Sequence, residues 1–107
     1  MGYISLAKAT GDVDLLPAEN IVHVSMTDAD TAVIEYGVVI LDTTVKSLQA
    51  TVEFATAWAA EGAKAATVVA RIALNDAISA AAGTAGPAIP VQLQAGQYVT
   101  SVTIGVA

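Results

Sequence analysis

The stretch Glu61–Ala82, EGAKAATVVARIALNDAISAAA, constrains this chain more than any other. Alanine is the strongest helix former, and the run holds no proline and one early glycine, Gly62, so it predicts a helix from end to end. Gly83, Gly86 and Pro87 stop it, because glycine suits a C-terminal cap and proline cannot continue the hydrogen-bond ladder. At 3.6 residues per turn, Ala63, Ala66, Ala70, Ala73, Ala77 and Ala81 fall on one face. Lys64, Arg71, Asn75 and Ser79 gather opposite, with Val68 and Ile72 beside them. Small side chains let a backbone approach closely, so the alanine face is expected to lie on a sheet. Val68 and Ile72 are then left for a second surface, such as another subunit.

The remaining sequence reads as strands, which makes the chain α+β with mostly antiparallel pairing. Tyr3–Ala7 is a short strand, and 9–12 is a turn. Pro17 confines the segment from Asp14 to Asn20 to an edge or loop leading into the next strand. Over Ile21–Met26 the residues alternate, with Ile21, His23 and Ser25 on one face and Val22, Val24 and Met26 on the other. A polar hairpin loop at 27–31 leads into a long strand, Thr31–Leu41, in which Gly37 marks a bulge or bend. Such a bend curls a small sheet towards a barrel. Asp42 to Thr44 forms the next turn. Residues 45–59 fit either period, and the β-rich run TVEFATAW predicts a strand over about Ala50–Trp58. After a linker at 83–87, strands at Ile89–Leu93 and Tyr98–Val106 are expected to form a hairpin through Gln94–Gln97.

At 107 residues, the chain is expected to form one domain, 1–107. Its 55% hydrophobic content overstates its apolar bulk, since about a fifth of the residues are alanine. Only Phe54, Trp58, Tyr3, Tyr36 and Tyr98 are aromatic, and so small an aromatic core favours self-association. The net charge of −6 argues against DNA or RNA as a direct partner, because a basic footprint is the first requirement for binding phosphates. With no cysteine, there is no disulfide, thiolate metal site or cysteine nucleophile. The N-terminus shows no signal-peptide pattern, and Leu6 stands where myristoylation needs Ser or Thr. Charges interrupt every apolar run short of the ~18 residues of a membrane span, so no membrane association is expected.

No residue set announces chemistry. His23, the single histidine, sits mid-strand without converging partners in the sequence, and reads as an ordinary strand residue. Asp12-x-Asp14 and Asp28-x-Asp30 open like calcium loops but lack the third oxygen ligand, the glycine and the closing glutamate, so they read as turn aspartates. Glu35 and Glu53 would form a glycosidase-type carboxylate pair only if their strands brought them together. The glycines at 83 and 86 follow the helix, whereas a phosphate cradle must precede one. Phe54 and Trp58 could offer a ligand platform, but core packing or a subunit interface suits them better. The expected interface residues are therefore Val68, Ile72, Phe54 and Trp58, with no catalytic residue, cofactor or metal.

MGYISL at the start, DVDLLPAENIVHV before a polar turn, the strand TAVIEYG, the late alanine-rich helix and the final QYVTSVTIGVA together resemble a group of small proteins from marine phages, particularly cyanophages. The resemblance spans nearly all of the chain. It implies a small, strongly bent antiparallel β-sheet or barrel of the Sm-like type, assembled as a homo-oligomeric ring, a pentamer. It further implies a non-enzymatic structural or accessory protein of the virion or host cytoplasm, with other virion proteins as possible partners. The chain departs from Sm proteins in lacking their paired RNA-contacting motifs, in being acidic and in carrying its helix late. An Sm-like nucleic-acid-binding ring and a small enzyme with an unrecognised site stand as the alternative readings.

Overall fold

Alternating apolar residues build two sheets, and one helix packs between them. The computed structural model describes residues 2–41, 44–83 and 86–106, with the backbone alone over 38–41, 44–47 and at 106. In chain order the elements are β1 (Tyr3–Ala7), β2 (Val13–Pro17), β3 (Ile21–Asp28), β4 (Thr31–Leu41), β5 (Thr44–Phe54), α1 (Ala66–Ala82), β6 (Ile89–Pro90) and β7 (Val99–Val106). One sheet has the order β2-β1-β6 and the other β3-β4-β5-β7. All pairings are antiparallel except β1 with β6. Among the described residues, an isolated parallel bridge, Lys8 to Val99, joins the two sheets. The architecture is α+β; the sheets do not close into the expected barrel.

The alanine stripe does face the sheets, where Ala70, Ala77 and Ala81 are buried and Ala66 and Ala73 pack against the core. Val69 and Leu74 are buried on the same side and supply the bulk that alanine lacks. The helix begins five residues later than its composition suggests. Gly62 takes a left-handed φ of 60°, and Glu61 and Lys64 close a turn on themselves: the Glu61 N–H reaches the Lys64 carbonyl at 3.1 Å and the Lys64 N–H the Glu61 carbonyl at 3.0 Å. Ala65 then stays extended, with ψ 157°, before the helix starts. Ala63 is thus outside the helix and exposed.

The strand expected over Ala50–Trp58 lies earlier, at Thr44–Phe54. A register shift between Glu53 and Phe54 marks an extra residue on β7, and the chain then leaves the ladder. Beyond it, the Ala55 N–H still bonds the Tyr98 carbonyl at 2.9 Å and the Trp58 N–H the Ala29 carbonyl at 2.8 Å, while Thr56 and Ala59 find side-chain partners in place of a neighbouring strand. The Gln97 amide accepts from the Thr56 N–H at 3.2 Å and donates to the Thr56 carbonyl at 2.8 Å. Gln94 does the same for Ala59, at 2.9 and 3.0 Å. A primary amide presents the donor and acceptor of a peptide group, so two glutamines finish what a strand would have done. This use of the turn also explains why the segments flanking it are not a hairpin. Gln97 N–H bonds the Gln94 carbonyl at 2.9 Å, and Gly96 has φ 79°, but β6 joins β1 while β7 joins β5. The turn carries the chain from one sheet to the other.

Two further strand readings need correction. Val13–Pro17 is a strand, paired with β1, and it lies at the sheet edge that Pro17 tolerates. In β3, a bulge between Ile21 and His23 switches the alternation, so that Ile21 packs against the core while Val22 is 71% exposed. The register shift expected at Gly37 is present, between Glu35 and Val38. The turn positions Asp42 and Thr43 and the linker positions Thr84 and Ala85 lie outside the described residues.

Close contact of the small helix face predicts a steep penalty for bulk. Ala70→Leu, at a position with no exposed area, should destabilise the fold by roughly 1–3 kcal/mol through overpacking. Ala80→Leu, on the exposed side, should stay within ~0.5 kcal/mol. Urea denaturation followed by circular dichroism measures both.

Candidate functional site

The four residues expected at an interface divide into two pairs. Phe54 and Trp58 are core residues, 4% and 3% exposed, with ring centroids 5.3 Å apart and planes at 89°. That edge-to-face arrangement is a favoured geometry for aromatic pairs, and it spends both rings mainly on core packing. Val68 is half-buried and Ile72 is 38% exposed on α1. Trp58 and Ile72 do meet, as two walls of a cavity of about 290 Å³ with Leu93 and Gln94. The Trp58 indole N–H is buried and has no hydrogen-bond partner among the described residues. The packing that seals Trp58 also seals its donor from solvent.

A broader cleft, about 740 Å³, opens between β3 and α1. Arg71 and Asn75 reach it from the helix, and Asn20 and His23 line the opposite wall. The helical stripe of Arg71 and Asn75 is legible from spacing, whereas their meeting with His23 depends on where α1 lands. Asn20 has a left-handed φ of 63°, and its carbonyl accepts the Gly37 N–H at 2.7 Å, which fixes this corner to the bulge in β4. His23 stands opposite Glu35 in the β3–β4 register, a carboxylate neighbour that sequence distance conceals.

The acidic candidates separate. Glu35 pairs in register with Gln49, whose amide donates to it at 3.2 Å, while Glu53 pairs with Ser101, whose hydroxyl donates at 2.7 Å. Glu53 stands opposite Thr31 on β4, four residues from Glu35, or about 13 Å along the strand. Their strands are neighbours, yet the register keeps the two carboxylates from acting on one bond. Asp14 forms an ion pair with Lys8 at 3.2 Å, Asp12 accepts from the Thr10 hydroxyl at 3.4 Å, and Asp30 from Thr31 at 3.2 Å. Among the described residues, no group of three or more His, Asp or Glu side chains converges to hold a metal ion, and no helix is long and apolar enough to cross a membrane.

Tyr36 is a polar-tipped core side chain that links the two sheets. It is 7% exposed, and its hydroxyl donates to the Pro17 carbonyl at 2.8 Å, tying β4 to the end of β2. Burial pushes its pKa up to about 12 from an ordinary 10, because a phenolate would lose its hydration. Comparison with protein-family models, curated proteins and solved structures finds no match for the chain.

The raised Tyr36 pKa has a definite sign. Between pH 10 and 12 the unfolded chain releases this proton and the folded chain keeps it, so folding stability falls as pH rises through that window. Tyr36→Phe should abolish this part of the alkaline slope. At neutral pH it should cost about 0.5–1.5 kcal/mol for the lost hydrogen bond. Denaturation midpoints of both proteins from pH 8 to 12 test the difference.

Proposed function

We propose that this chain is a non-enzymatic assembly protein, a structural or accessory component that works by associating with copies of itself. The observation that carries this reading is the state of the sheet edges. Val13 and Leu15 on β2 are 52% and 53% exposed, Val22 on β3 is 71% exposed and Ile104 on β7 is 54% exposed. All three strands are sheet edges. An edge strand offers unpaired N–H and C=O groups to another chain, and proteins that remain monomeric blunt such edges with lysine, proline or a covering segment. In a chain of net charge −6, apolar edges are also where copies can approach with least repulsion.

The phage affiliation and the Sm-like ring belong to this proposal through the sequence resemblance. Pairing of β3 of one subunit with β7 of the next would extend the four-stranded sheet head to tail, and such a heterologous contact closes a ring when its rotation allows. Val68 and Ile72 would then supply apolar contact on the helix side.

Size exclusion with light scattering should give a mass that is a multiple of the 10.7 kDa subunit at micromolar concentration. A single-subunit mass at every concentration would overturn the reading. A Val68→Asp, Ile72→Lys double variant should shift the population to smaller species while thermal unfolding stays within ~0.5 kcal/mol of the parent. Mass spectrometry of purified virions separates the two roles, since a structural component must be found in the particle.

A further inference from the structure

The ladder between β1 and β2 fixes which backbone groups of β2 are free. Ala18 N–H bonds the Gly2 carbonyl at 2.9 Å, and Lys8 N–H bonds the Asp12 carbonyl at 2.8 Å. Hydrogen-bonded and non-bonded pairs alternate along an antiparallel ladder, so Ile4–Leu16 and Leu6–Asp14 are the bonded pairs between these two ends. Val13, Leu15 and Pro17 therefore direct their backbone groups outward, away from β1. The Pro17 carbonyl already accepts the Tyr36 hydroxyl, and proline has no N–H. Val13 and Leu15 remain, each with a donor and an acceptor that meet no partner among the described residues, and each with an apolar side chain about half exposed. These two side chains share the outer face of the sheet with Tyr3, Ser5 and Ala7, a face without charge.

We infer that β2 pairs antiparallel with β2 of a second copy about a twofold axis through Asp14, placing Val13 beside Leu15 of the partner subunit and Leu15 beside Val13 of the partner subunit. The inference rests on the assembly reading above and names one of its contacts. A second copy is the occupant because the edge complements itself: in this register, every free group of Val13 and Leu15 meets a free group of opposite kind, giving four backbone hydrogen bonds. A shift that centres the axis on Leu15 would set Val13 against Pro17, which has no N–H, so both Val13 carbonyls would be left without a donor, and the Pro17 carbonyl is already shared with the Tyr36 hydroxyl. The two Asp14 carboxylates approach at the axis, and each brings its Lys8 partner at 3.2 Å, so the cluster of four charges is neutral. The contact is isologous, so it joins two subunits, or two rings, and goes no further.

Disulfide cross-linking reads the register, since the chain contains no cysteine of its own. Cα atoms of a hydrogen-bonded antiparallel pair are about 5.5 Å apart, within the roughly 4.4–6.8 Å that a disulfide spans. Identical positions, Val13 to Val13 or Leu15 to Leu15, would lie about 8–9 Å apart, one pair across and two residues along. Val13→Cys and Leu15→Cys variants, mixed in equal amounts and oxidised, should give a covalent dimer, and either variant alone should give none. In parallel, Leu15→Pro removes an N–H that bonds nothing within the subunit, so the variant should keep its circular dichroism spectrum while the native mass falls to half. Cross-linking of Leu15→Cys alone would overturn the register. A wild type that is oligomeric, gives no cross-link and keeps its mass in Leu15→Pro would overturn the β2 contact while leaving assembly standing. A wild type that is monomeric throughout would remove both.

Discussion

The burial of a small-residue helix face between two sheets is the constraint on which the rest of the structure depends. Ala70, Leu74, Ala77 and Ala81 bring α1 against β1, β3 and β6, while among the described residues the backbones of the two sheets meet at the isolated Lys8–Val99 bridge. Ile4 and Leu6 from one sheet and Ile34, Val52 and Val99 from the other are fully buried, as is Leu74 from the helix. Each such side chain contributes about 1.5–3 kcal/mol relative to exposure. Alanine contributes little area, but it sets how near the backbones can come, and that spacing lets one modest core serve two sheets.

Polar links then fix what the apolar contacts leave loose. The Tyr36 hydroxyl spans from β4 to the end of β2, and the Asn20 carbonyl holds the bulge at Gly37. Gln94 and Gln97 hold the irregular segment between β5 and α1 by imitating peptide groups. The Tyr36 hydroxyl is a part-buried group that would otherwise lack a partner, and an unmet buried group costs more than a met one gains.

The candidate site was legible only in part, and the reason is the same for each residue. Val68 and Ile72 lie on the helix side away from the core because helical spacing alone puts them there. Phe54 and Trp58 were seen as a pair but not placed, since alternation along a strand cannot say which face the core takes. Val13 and Leu15 carried no signal beyond a proline-bearing run. Their importance comes from a ladder whose phase is set by hydrogen bonds at its two ends. The meeting of Arg71, Asn75 and His23 across one cleft likewise follows from where the helix docks.

By itself the sequence determined the local features: an alanine-rich helix stopped at Gly83, the long strand with its break at Gly37, the hairpin at 27–31 and a strongly acidic balance. Each rests on propensity, on periodicity or on a residue whose backbone freedom is unusual, and those act over a few neighbours. Only the tertiary structure decided the division into two sheets, the separation of β6 from β7 and the end of β5 at Phe54. Those depend on partners far along the chain: glutamine amides from 94 and 97 meeting backbone at 56 and 59, and β1 serving as the middle strand for both β2 and β6. Pairing energy is indifferent to sequence distance, so local pattern carries no record of it.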